Sequence, residues 1–244
     1  MAKSVRVPLS GLEAGERKLD LKTAHYLRDV LRLRAGESFI VFDPESKHEA
    51  DARLAESHDG TYCGVGPLRD SARGVDTGIV LVQALGKGDK TEQVVRSATA
   101  LGVAEVHLVE SARSVARAGE RSDSKRVRLE SIALDAARQS GRADVPKLVG
   151  PHALDRELAA WRDVPALKLC LVPGAAQSLR LLTADWSLGS PIVILIGPEG
   201  GLSPEEIASA EQVGFVPAHF GELVLRTEIA GIAVLGALLL LAQA

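Results

Sequence analysis

The sequence predicts an α/β protein in two parts, a small β-barrel over residues 1–72 followed by a parallel-sheet domain over 73–244. Three observations predict it. Short β-rich runs separated by turn residues fill the chain up to about Ser71, strand-like and helix-like segments alternate from Ile79 onward, and the apolar run Ile192 to Ile196 leads into a glycine-rich turn. A chain of 244 residues can bury two cores. With 46% hydrophobic and 25% charged residues it has the composition of a soluble globular protein, which excludes the disordered and fibrous classes.

The elements follow in order. Met1 to Pro8 holds no apolar leader core, so the chain is expected to stay in the cytoplasm. Ser38 to Phe42 and Ala50 to Leu54 read as strands, bounded by Gly36, Asp43-Pro44 and Asp59-Gly60. Between the turns, Thr23 to Leu31 reads as a helix with Tyr26, Leu27 and Val30 or Leu31 on one face and Arg28 and Arg32 on another. Arg69 to Gly78 is polar and glycine-containing, a linker.

Beyond it, strands are expected at Ile79 to Ala84, Glu105 to Val109, Val145 to Val149, Leu167 to Val172, Pro191 to Ile196 and Phe215 to Phe220. Helices are expected at Lys90 to Leu101, Asp123 to Ser140 and Leu154 to Trp161, and from Pro204 and Glu228. Ser203-Pro204-Glu205-Glu206 offers a capping box with proline in the first turn, and Gly102 and Gly214 stand where left-handed C-caps fall. The apolar run Ile229 to Ala244 is shorter than the roughly 20 residues of a membrane span, so a buried helix is expected.

A net charge of −3 does not favour nucleic acid, but its distribution is uneven. Arg113 to Arg142 holds eight basic residues against four acidic ones, which suits either a solvated helix face or phosphate contacts. Cys63 and Cys170 stand far apart without metal-ligand spacing, so neither a disulfide framework nor a metal site is expected.

The strongest local signal is Gly197-Pro-Glu-Gly-Gly-Leu-Ser203 after the apolar strand, because loops at the carboxyl ends of parallel strands commonly hold ligands. Gly197, Gly200 and Gly201 permit positive φ and close backbone approach, and the pattern is neither GxGxxG nor a Walker loop. The second signal is Phe220-Gly-Glu-Leu-Val-Leu-Arg-Thr-Glu228. Here Thr227 is a candidate N-cap, Glu228 suits the first helical turn, and Arg226 needs an anionic or polar partner between two apolar elements.

These two motifs, with Lys87-Gly-Asp-Lys-Thr-Glu92, Leu101-Gly-Val103, Gln139-Ser-Gly-Arg142 and His25-Tyr-Leu-Arg-Asp-Val-Leu-Arg32, resemble the SPOUT methyltransferases and specifically the RsmE family. The resemblance covers nearly the whole chain in the expected order. It implies a PUA-like barrel, a SPOUT domain with a C-terminal trefoil knot, a homodimer, and methylation of N3 of a uridine in 16S ribosomal RNA of the small subunit by S-adenosyl-L-methionine, without metal. The cofactor would touch Leu171, Val172, Pro173, Ile196, Gly197, Pro198, Glu199, Gly200, Gly201, Leu202, Phe220, Gly221, Leu223, Val224, Leu225, Arg226 and Thr227.

Uridine N3 is protonated at neutral pH and must lose its proton before it can attack a methyl group. Arg226 or Arg142 is therefore expected to stabilise negative charge on the base, while Glu199 or Glu228 orients the base or takes its proton. His25, Tyr26, Arg28, Arg32, Lys87, Lys90, Arg138 and Arg142 are the expected RNA contacts. Alternatives are a SPOUT enzyme acting on a ribose 2′-hydroxyl or another base, a non-catalytic RNA-binding assembly protein, and a generic nucleotide-binding α/β protein.

Overall fold

The computed structural model of the chain describes residues 5–58, 60–71, 77–115 and 122–242. They group into two compact units, residues 1–75 with 137–145, and residues 76–136 with 146–244.

The first unit carries β1 (Arg6–Pro8), β2 (Gly15–Lys18), β3 (Ser38–Phe42), β4 (His48–Ser57), β5 (Gly60–Val65) and β6 (Arg69–Asp70). The sheet order is β1-β3-β4-β5-β2, with β6 paired to β4; β1 runs parallel to β3 and the other pairings are antiparallel. β4 shows why an alternating sequence makes a half-buried strand: Ala50, Ala52 and Leu54 point into the core while Asp51, Arg53 and Ala55 point out. The expected linker begins instead as β6, because Arg69 bridges from its edge position to Glu49 and Asp51 on β4. Residues 72–76 of that linker lie outside the described residues.

The expected helix of this unit is shorter and changes type. α1 (Leu21–His25) is capped by Asp20, whose carboxylate accepts from the Thr23 N–H at 2.9 Å, and it opens into a π-helical turn over Tyr26–Val30. Leu27 is fully buried, Leu31 packs against the core and Val30 is exposed, so Leu31 completes the apolar face. Arg32 follows at φ 58°, a left-handed conformation rare outside glycine.

The second unit is a seven-stranded sheet in the order β11-β13-β10-β12-β7-β8-β9, parallel throughout. Its elements are β7 (Ile79–Ala84), α2 (Lys90–Ala100), β8 (Glu105–Glu110), α3 (Ser122–Ser140), β9 (Lys147–Ala153), α4 (Leu154–Trp161), β10 (Leu167–Leu171), β11 (Gln177–Ser178), α5 (Leu179–Leu182), β12 (Ile192–Ile196), α6 (Pro204–Gln212), β13 (Val216–His219) and α7 (Thr227–Leu241). The last turn of α3 groups with the first unit. β12 is buried at every residue, as a central parallel strand covered on both faces must be. α2 packs on α7, which lies on β7 and β12, while α4 packs on α6, β8 and β9.

Gly102 and Gly214 adopt φ of 86° and 92° and end their helices as expected. The strand expected at Val145 to Val149 begins later, at Lys147, and runs to Ala153; Pro146 has no N–H to give to a ladder. β11 and α5 were not expected. The signal was Ser178, whose hydroxyl caps α5 by accepting from the Leu181 N–H. Both cysteines are buried and free, and burial pushes the Cys170 thiol up to about 12. No helix among the described residues is long and apolar enough to cross a membrane.

Candidate functional site

The strand order of the second unit reverses between β12 and β7, and the loops leaving those strands part there, the place where open parallel sheets bind ligands. β12 is followed by Gly197, where a Cβ would lie 2.9 Å from the Leu202 nitrogen, so glycine is needed for close approach rather than for its φ. Of the three glycines in this turn only Gly201 has positive φ, at 69°, and its N–H closes the turn on the Pro198 carbonyl at 2.8 Å. α6 then starts with a complete capping box between Ser203 and Glu206.

Neighbouring elements fasten this loop. Arg113 donates to the Gly200 carbonyl at 2.9 Å, and its Cβ lies 3.3 Å from where a side chain on Gly200 would begin. The Ala112 N–H donates to Glu206 at 2.6 Å. On the opposite side, the Thr227 hydroxyl donates to the Gly197 carbonyl at 2.6 Å. Thr227 is therefore not the cap of α7: Arg226 holds the N-cap position, with no side-chain cap bond, and the threonine hydroxyl is committed across the site.

The loops enclose a cavity of about 440 Å³. It is lined by Leu171, Val172 and Pro173 after β10, by residues 196–199, 201 and 202 after β12, by Phe220, Gly221 and residues 223–227 before α7, and by Lys90, Ile207 and Ala230. Every expected cofactor contact except Gly200 lines it; Gly200 is turned against Arg113. The size suits a small-molecule site, which is typically about 300–1,000 Å³.

The charged groups cluster around Lys90. Its ammonium lies 2.9 Å from Glu199 Oε1 and 3.3 Å from Glu228 Oε2, and the Lys87 N–H donates to Glu199 Oε1 at 3.1 Å. The two carboxylates, Glu199 foremost, hold the lysine above its ordinary range. Burial alone would raise Glu199, but the bonds from Lys90 and Lys87 hold it below the ordinary carboxylate value. Glu228 Oε2 is buried and has no hydrogen bond of acceptable geometry among the described residues, so Lys90 is a charge partner that leaves its acceptor capacity open. Arg226 lines the cavity with an exposed side chain that makes no hydrogen bond or ion pair among the described residues, so the partner expected from its sequence setting is not found among them.

The other expected site residues are dispersed. Arg142 is buried in the segment grouped with the first unit, pairs with both oxygens of Asp144 at 2.9 and 2.8 Å, and does not line the cavity. Arg138 stacks 4.2 Å above the Tyr26 ring, Arg28 pairs with Glu56 at 3.1 Å, and His25 meets Asp29 at 2.6 Å. Arg32 is exposed, and Lys90 sits in the cavity wall rather than on an open surface. In the basic run, Arg126 pairs with Glu130 and Arg128 with Glu92, while Arg117 and Arg121 lie outside the described residues. Sequence reasoning missed Arg113 and Gln83. Gln83 carried a legible signal, as the one polar residue in the apolar strand Ile79 to Ala84. No cluster of metal-ligating side chains occurs among the described residues.

A parallel sheet with a glycine-turn cavity at its carboxyl edge, joined to a separate β unit, defines a class. The chain matches the RNA methyltransferase domain over residues 75–239 and the RNA methyltransferase PUA domain over 19–63. It is 29% identical to ribosomal RNA small subunit methyltransferase E of Bacillus subtilis over 88% of this chain and 86% of that one. It is 30% identical to the protein of that name from Mycobacterium bovis, over 85% and 80%. The solved structure of the Neisseria gonorrhoeae enzyme of that name, bound to S-adenosyl methionine, aligns with a TM-score of 0.84 and 28% identity over 98% of both chains. The chain belongs to the ribosomal RNA small subunit methyltransferase E family.

Proposed function

We propose that this chain methylates N3 of a specific uridine in 16S ribosomal RNA, using S-adenosyl-L-methionine held in the 440 Å³ cavity. The observation that carries the reading is the cavity wall itself. It combines glycine backbone with Leu, Val, Ile and Pro side chains and the partly exposed pair Lys90–Glu199, a donor set suited to an adenine and a methionine chain and without a phosphate cradle. Bound there, the cofactor supplies a methyl group on a sulfonium, which is already a good leaving group. The protein's part is alignment and control of charge.

Glu228, next to the cavity-lining Thr227, is the carboxylate with the freer acceptor for the imide proton, since Glu199, which lines the cavity, already accepts from Lys90 and Lys87 whereas Glu228 Oε2 has an open acceptor. Arg226 is the better placed of the two arginines to meet the charge that develops on the uridine oxygens, because Arg142 is already held by Asp144. The RNA itself would be gripped by a PUA-like barrel over residues 1–72, with His25, Tyr26, Arg28 and Arg32 as contacts, joined by Lys87 and Arg138 from beyond it, while Arg142 is buried on Asp144 and is no longer a candidate contact. The family likeness further implies a trefoil knot within residues 73–244, a homodimer and a cytoplasmic location. Exposed Leu223, Val224, Ile229, Leu240 and Leu241 on and before α7 support the dimer, since apolar surface of that extent favours a covering partner.

The test is to incubate the purified protein and labelled S-adenosylmethionine with small ribosomal subunits from a strain lacking its own enzyme, and to identify the product nucleoside by mass spectrometry. N3-methyluridine is expected. A ribose-methylated or differently methylated nucleoside would overturn the substrate, and no methylation together with no cofactor binding would favour the RNA-binding alternative.

A further inference from the structure

Gln83 is 1% exposed and is the last residue but one of β7, directly opposite Ile196 in the β12 ladder, so it stands one position before Gly197 across the sheet. Its side-chain amide nitrogen donates to the Thr227 hydroxyl at 3.0 Å and to the Ala84 carbonyl at 3.1 Å. The Thr227 hydroxyl in turn donates to the Gly197 carbonyl at 2.6 Å. The direction of this relay is forced. The threonine has one proton and spends it on Gly197, so it can only accept from Gln83; the Ala84 carbonyl can only accept too, which fixes the amide orientation.

The relay joins β7, the glycine turn after β12 and the first residue of α7, and the last two are facing walls of the cavity. A buried glutamine is a poor choice for stability alone. Its Oε1 is buried with no hydrogen-bond partner among the described residues, which is destabilising, and an apolar side chain of similar shape would avoid that cost. A destabilising group retained beside a ligand cavity points to a role in the cavity's geometry.

We infer that Gln83 is a positioning residue for the cofactor site, fixing the spacing between the Gly197 turn and the start of α7 through Thr227. It lines no part of the cavity and acts only through Thr227 and Gly197. The inference rests on the reading that the cavity binds S-adenosylmethionine.

The experiment compares wild type, Gln83→Leu, Thr227→Val and the double variant by calorimetric titration with S-adenosylmethionine and by thermal melting. Gln83→Leu is expected to weaken cofactor binding about tenfold, as for one misplaced hydrogen-bonded contact, while the melting temperature stays level or rises. The double variant should lose little more affinity than Thr227→Val alone, because both changes break one relay. At saturating cofactor, turnover of Gln83→Leu should stay within about threefold of wild type while the cofactor KM rises. Unchanged affinity in Gln83→Leu would overturn the inference. So would additive losses in the double variant, or an affinity loss that only follows a falling melting temperature, since those mark a structural residue. Wild-type protein that fails to bind S-adenosylmethionine would overturn the functional reading itself, and this inference with it.

Discussion

Glu157 shows how much chemistry one buried carboxylate can organise away from the cavity. It is 3% exposed and accepts from His107 Nδ1 at 2.6 Å, His152 Nε2 at 2.6 Å and Trp161 Nε1 at 2.5 Å. Burial alone would raise it, but these bonds, His107 foremost, hold it at about 2. Its contribution to stability is therefore complete above the ordinary carboxylate value of 4.5 and is lost as pH falls toward 2. His107 runs the other way. Burial would lower it, the bonds to Glu157 and Glu105 outweigh that and raise it above 6.5, and its contribution is complete below 6.5 and lost as pH rises through the folded value. Glu157→Gln should cost about 3 kcal/mol near neutral pH and flatten the acid limb of melting temperature against pH between 4.5 and 2, read by calorimetry. Beside the cavity, where Glu228 meets Lys90 of the wall, Glu228→Gln should lower methyl transfer about 10²–10⁴-fold, the usual worth of a general base, with cofactor affinity within a few-fold of wild type. Equal turnover of the two proteins would remove Glu228 from that role.

At the scale of elements, α7 is held close to the sheet by a missing side chain. A Cβ on Gly231 would meet Leu81 Cδ1 at 3.0 Å and Cδ2 at 3.3 Å, so Gly231→Val should lift the helix from β7 and destabilise by about 1–3 kcal/mol in urea titration. The same lift should weaken cofactor binding, because Ala230, its neighbour, and Thr227, one turn earlier, line the cavity. α7 also shows what a sequence can and cannot disclose. Its apolarity and its boundary within one residue of Glu228 were legible because burial and capping leave local marks. The destination of the Thr227 hydroxyl was not, since a threonine before a helix has the same local pattern whether it caps that helix or reaches residue 197, 30 positions away. The loops that line the cavity were readable in advance because glycine density and apolar strands are local, whereas the place of Lys90, expected to face RNA, between Glu199 and Glu228 depends on contacts distant in sequence.

For the whole molecule, the proposed homodimer follows from an imbalance between α7 and its surroundings. The helix buries Ala230, Val234, Leu235 and Leu238, yet leaves Ile229, Leu240 and Leu241 at 49%, 71% and 47% exposed, and the loop before it exposes Leu223 and Val224 at 82% and 74%. Full cover of an exposed side chain of this size gains about 1.5–3 kcal/mol of transfer free energy, and roughly half of that for the half-covered Ile229 and Leu241. Association must also offset lost translational and rotational freedom, so one or two isolated residues would not suffice, whereas a patch repeated on both partners by two-fold symmetry counts twice. A charge placed in the patch would be buried unpaired in such an interface. Leu240→Glu, fully solvated in a monomer, should therefore fold with a near-native melting curve but sediment as a monomer where wild type sediments as a dimer. Because Leu223 and Val224 also line the cofactor cavity, loss of the partner should weaken S-adenosylmethionine binding as well as change mass. Sedimentation of wild type as a monomer at micromolar concentration would refute the dimer, and dissociation of Leu240→Glu with unchanged cofactor affinity would show that each cavity is complete within one chain.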